Sequence, residues 1–94
     1  MQERRKAKRD ACELLATLET NIGRMTCQIR NISTIGLLAS IDSPASLAVG
    51  QTVSVSQTEL GRVNGTVRWT STGEFGMAFS QPIPTSTLSA AIQR

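Results

Sequence analysis

The chain has 94 residues, a net charge of +3, 39% hydrophobic and 18% charged residues, a composition that suits one small folded domain and argues against a disordered segment. It holds no histidine, which excludes His-based acid–base chemistry, Ser-His triads and His-ligated metals. Its longest apolar runs, such as Ile35 to Ala39, are too short for a membrane-crossing helix, and no apolar segment follows the charged N-terminus, so a cytoplasmic chain without membrane insertion is expected.

Residues 1–10 hold Arg4, Arg5, Lys6, Lys8 and Arg9 against Glu3 and Asp10, so the whole surplus of three positive charges sits there. The rest of the chain carries five arginines and five acids, which cancel. Charged and without apolar periodicity, residues 1–10 read as a flexible basic N-terminal arm, and 11–94 as a single domain. Over 11–19, Cys12, Leu14, Ala16 and Leu18 alternate with polar neighbours as in a half-buried strand, while Leu15 breaks the pattern and keeps a helical reading of 10–19 open. Asn21-Ile22-Gly23 turns the chain into a second strand over 24–30, where Met25, Cys27 and Ile29 alternate, and the pair is expected to form an antiparallel hairpin.

Ser33-Thr34-Ile35-Gly36 interrupts this pattern and leads into a third strand over 37–41, ended by Asp42-Ser43-Pro44 because proline lacks the amide a ladder needs. After a connector over 45–50, Val53 and Val55 mark a fourth strand over 52–56. The fifth, over 62–70, places Val63, Val67 and Trp69 on one face. Its Asn64-Gly65 is a hairpin signal, but a hairpin there would leave two four-residue stubs, so a glycine-containing strand or bulge is preferred. Phe75, Met77 and Phe79 alternate in a sixth strand that Pro82 and Pro84 stop. Leu88, Ala91 and Ile92 then fall at helical spacing, predicting a short C-terminal helix over 85–94 with a Thr or Ser cap.

Six short strands with little helix potential predict an all-β fold, most economically a six-stranded antiparallel barrel, since closure removes sheet edges. Cys12 and Cys27 read most simply as small buried side chains. A disulfide stays open as an alternative, whereas a lone cysteine pair without histidine offers too few ligands for a metal. The acids are scattered and no nucleophile–base pair is evident, so no catalytic residues are assigned and an enzyme is the least favoured class.

Two constellations carry chemistry. Arg5-Lys6-Ala7-Lys8-Arg9, with Arg4 beside it, puts several guanidinium groups on one segment, and guanidinium matches both the phosphate oxygens and the O6/N7 edge of guanine. A solubilising or polyanion-attracting tail is the plainer reading of the same residues. Asn31-Ile32-Ser33-Thr34-Ile35-Gly36 stands at a strand end, where these residue types build tight turns and where Asn31 and Ser33, two apart in an extended strand, would share a side.

Together these segments resemble the PilZ domain family, receptors for cyclic di-GMP, whose signature is Arg-x-x-x-Arg followed by Asp/Asn-x-Ser-x-x-Gly about twenty residues later. Gly65-Thr66-Val67-Arg68-Trp69 and Phe75-Gly76-Met77-Ala78-Phe79 look like the family's last two barrel strands, so the likeness spans nearly the whole chain. The resemblance implies that Arg5 and Arg9 hold phosphate and guanine, that Asn31 and Ser33 contact a guanine, and that Gly36 gives the turn that lets the ligand lie close. Arg4 would add a further guanidinium and favour a stacked pair of ligand molecules. No cofactor is implied beyond the ligand, and signalling would proceed by docking on an unidentified downstream protein. Two other readings stand beside this one: a PilZ-like scaffold or adaptor that binds no nucleotide, and a small barrel that grips nucleic-acid phosphates with its arm. The neutral barrel and few aromatics disfavour nucleic acid.

Overall fold

The computed structural model describes residues 10–42 and 47–93. Six strands follow in chain order, β1 (Asp10–Thr20), β2 (Gly23–Ile32), β3 (Gly36–Ile41), β4 (Thr52–Gln57), β5 (Gly61–Ser71) and β6 (Glu74–Phe79), and then one helix, α1 (Thr85–Ile92). Every neighbouring pair is antiparallel, and the order β1-β2-β3-β6-β5-β4 closes into a barrel through pairing of β1 with β4. The segment over 10–19 is therefore a strand, with Leu15 pointing outward at 73% exposure between buried Leu14 and Ala16.

Alternation fills the interior. Leu14, Ala16 and Leu18 of β1 meet Cys27 and Ile29 of β2, Leu37, Ala39 and Ile41 of β3, Val53 and Val55 of β4, Val63 and Val67 of β5, and Phe75 and Met77 of β6. Phe75 is the largest fully buried side chain, so aliphatic groups supply most of the core. β5 runs unbroken through Asn64-Gly65. The glycine is needed because strands pass closely here: a Cβ at Gly65 would strike the carbonyl oxygen of Ala78.

The helix packs against β1 and buries Leu88 and Ala91. Its N-cap is Pro84, with no side-chain cap hydrogen bond, where a Thr or Ser cap was expected. Pro84 has extended backbone angles and its carbonyl accepts the Leu88 N–H at 3.1 Å, which places Thr85 already inside the first turn. The helical conformation ends at Ile92, because Gln93 turns extended. Among the described residues no helix is long and apolar enough to cross a membrane.

Candidate ligand-binding face

Four backbone pairings line up across the barrel wall. Ala11 of β1 stands opposite Asn31 of β2, Asn31 opposite Leu38 of β3, Leu38 opposite Gly76 of β6, and Gly76 opposite Trp69 of β5. Partners across antiparallel strands share a face. Since Leu37, Ala39, Phe75 and Met77 point into the core, this row faces outward. Strands lie about 4.8 Å apart, so the row runs roughly 10 Å from Asn31 to Gly76.

Two β-bulges make the row. The β2–β3 register shifts between Ile29 and Asn31, leaving Arg30 unopposed, and the β5–β6 register shifts between Val67 and Trp69, leaving Arg68 unopposed. Regular alternation from buried Ile29 and Val67 would aim Asn31 and Trp69 inward, and each bulge turns its residue out instead. Trp69 therefore does not share the face of Val63 and Val67, as the residue pattern suggested. It lies half-buried on the outer wall, its indole resting where a Cβ of Gly76 would stand. Arg30 and Arg68 are exposed, one residue before Asn31 and Trp69.

Asn31 is the polar group of the row. Its Oδ1 is shielded from solvent and has no hydrogen-bond partner among the described residues. A buried carbonyl oxygen left without a donor costs about 1–3 kcal/mol, so this atom is an exception to the usual pairing of buried polar groups.

Ser33 has a different job. The extended spacing that would align it with Asn31 stops at Ile32, where β2 ends. Ser33 is 3% exposed, and its Oγ accepts the Ile35 N–H at 3.2 Å and donates to the Gly36 carbonyl at 3.4 Å. Its own N–H donates to the same carbonyl at 2.9 Å. The turn is also held from outside, by Phe79 N–H on Ile35 O and Ile83 N–H on Thr34 O, each 2.8 Å. Ser33 thus shapes the turn beside Asn31.

Gly36 begins β3 and does not adopt a positive φ. Its lack of a side chain serves close packing: a Cβ there would lie 2.5 Å from the Met77 carbonyl oxygen. Gly36 closes the turn through its carbonyl, which accepts both Ser33 bonds, and it is the tight β3–β6 contact rather than a positive φ that calls for glycine here. Arg4, Arg5 and Arg9 lie outside the described residues; in sequence, Arg9 immediately precedes Asp10, which pairs with Ile32 at the start of β1.

The two cysteines are free. Cys27 stands opposite Ala16 in the barrel interior, four positions along β1 from Cys12, which rules out the disulfide alternative. Burial pushes the Cys27 thiol up to about 11 and raises that of Cys12, with Asp10 adding to the latter. Both therefore stay protonated near neutral pH and are poor nucleophiles. Elsewhere on the surface Glu19 pairs with Arg24 at 3.1 Å and Arg62 at 3.3 Å, away from the row.

Sequence reasoning found Asn31 but missed Trp69 as its partner on this face. Sequence offered no signal for this pairing, because Gly76 faces Trp69 only through the register shift after Val67.

The chain is thus a closed six-stranded antiparallel β-barrel with a polar and aromatic row on its outer wall. The chain belongs to the PilZ domain family, whose model matches residues 3–94. No curated protein matches it in sequence. Among solved structures it is similar to the PilZ domain of CeSA from a cellulose-synthesizing bacterium, with 14% identity and a TM-score of 0.69 over 89% of this chain and 94% of that one. It is also similar to the Bacillus subtilis inhibitor of motility MotI/DgrA, with 15% identity and a TM-score of 0.73 over 98% of this chain; it spans 49% of that protein. A third likeness is to the PilZ domain of YcgR from Escherichia coli, solved with c-di-GMP, at 13% identity and a TM-score of 0.66 over 93% of this chain and 86% of that one. At these identities the three likenesses concern the fold.

Proposed function

We propose that this chain is a receptor for cyclic di-GMP that performs no catalysis and signals by docking on a partner protein. The observation that carries the reading is the unpartnered, buried Oδ1 of Asn31 on an outward row that also holds Trp69. A guanine offers ring N–H and amino donors to such an oxygen and a flat face to the indole. Family membership adds the ligand class, since a related PilZ domain was solved with c-di-GMP.

In this reading Asn31 accepts a hydrogen bond from one guanine, while Ser33 and Gly36 keep the neighbouring turn and strand in register. Arg5 and Arg9, whose arm joins the barrel one residue before Ala11, clamp phosphate and guanine, and Arg4 supplies an extra guanidinium for a stacked pair of ligands. Each arm residue fixed on binding costs about 1–2 kcal/mol, which several charge-assisted bonds of about 1.5–3 kcal/mol each must offset together. The arm held on the ligand then forms part of the surface that a partner recognises.

The test is a calorimetric titration of the full chain with cyclic di-GMP, GTP and a short oligonucleotide. Saturable binding of the cyclic dinucleotide alone, at more than one ligand per chain, is the expected result. A preference for the oligonucleotide, or no binding of any of the three, contradicts the reading, the last result favouring a scaffold role.

A further inference from the structure

We propose that Gly76 is a positioning residue: its missing side chain is the seat that holds the Trp69 indole flat against the barrel wall as a preformed stacking face for a purine base. This rests on the reading that the outward row binds a guanine nucleotide.

The seat is defined by three features of the two strands. The bulge at Arg68 turns Trp69 to the outer wall, the register then sets it opposite Gly76, and the absent Cβ leaves the space that the ring occupies. A Cβ at Gly76 would collide with Nε1 of the indole and stand 2.5 Å from its Cε2. No small shift of a flexible chain end relieves such a collision, because the clashing atoms belong to the middle of a rigid bicycle. Any side chain at position 76 must therefore lift or rotate the ring.

Backbone strain does not explain this glycine, since its φ is not positive. A strand interior ordinarily loses stability at glycine, so the residue needs a reason, and the indole lying on it is one. A ring held by the sheet loses little further freedom when a base stacks on it, which favours binding. The Leu38 position separates the seat from Asn31, so a base resting on the indole lies within reach of the Asn31 oxygen.

The experiment is a double-mutant cycle in the full chain with Gly76→Ala, Trp69→Leu and the pair, read by cyclic di-GMP affinity, by Trp69 emission and by thermal unfolding. In the free chain Gly76→Ala should shift the emission to the red and raise its quenching by acrylamide. Affinity should fall at least about tenfold for each single variant, the scale of one lost base stack, and the double variant should bind no more weakly than Trp69→Leu alone. Additive losses in the double variant, or unchanged affinity in Gly76→Ala, overturn the inference. If Gly76→Ala does not fold, emission of the unaltered chain decides: quenching on saturation supports the stack and constant emission overturns it. Absence of binding by the unaltered chain contradicts the receptor reading itself, whereas normal binding with an indifferent Gly76→Ala contradicts only the seat.

Discussion

A buried oxygen without a donor weakens a fold, and Asn31 Oδ1 is such an atom. Its presence on an otherwise well-satisfied β-barrel sets stability against binding. Asn31→Ala should therefore leave the barrel as stable as the parent, or up to about 1 kcal/mol more stable in chemical denaturation, while cyclic di-GMP binding drops by at least about tenfold. A destabilised variant with intact binding would show that Asn31 is structural. Cys27 gives an independent prediction. Its pKa in the folded barrel, about 11, exceeds the unfolded value of about 9, so the thiol's contribution is fully present below pH 9 and is lost as pH rises through 11. With no tyrosine in the chain, stability measured between pH 8.5 and 11 should fall by about 2–3 kcal/mol, and Cys27→Val should remove most of that slope.

At the level of elements, strands were legible because alternation is a direct consequence of burying one face, and all six appear within two residues of the expected bounds. The bulges were not legible. Nothing in Ile29-Arg30-Asn31 or Val67-Arg68-Trp69 marks the middle residue as extra, because a bulge is defined by the register against the partner strand. That is why Trp69 was placed on the wrong face and its kinship with Asn31 went unseen. Gly36 was legible as essential but for another reason, since close approach to Met77 is a tertiary fact. Ser33 and Gly36 should separate in denaturation experiments. Ser33→Ala loses the acceptor of the Ile35 N–H and should cost about 1 kcal/mol, whereas Gly36→Ala forces a Cβ against backbone and should cost about 3 kcal/mol or more. Equal losses would contradict the packing role given to Gly36. The bulge arginines make a smaller claim: Arg30→Ala with Arg68→Ala should weaken cyclic di-GMP binding several-fold in calorimetry and leave the fold intact, and unchanged affinity would remove them from the ligand face.

For the whole molecule, the charge distribution and the barrel divide the labour. The surplus positive charge lies in 1–10, and the barrel has an outer row with one aromatic face and one acceptor unsatisfied among the described residues. If Arg5 and Arg9 grip one ligand together as proposed, removing a single arginine should remove more than that arginine's own bonds. Arg5→Ala or Arg9→Ala alone should abolish most binding, and raising salt should weaken the parent's affinity. The arm and the barrel motif were both legible as residues, whereas their meeting around a ligand belongs to the proposed function, because residues 1–9 lie outside the described residues.

The most direct test is an amide NMR titration of the full chain with cyclic di-GMP, following residues 4–9, Asn31 and the single indole N–H of Trp69 together. Joint shifts that saturate at one common ligand concentration are predicted. A saturated ligand that moves neither the arm nor the Asn31 and Trp69 resonances would contradict the account.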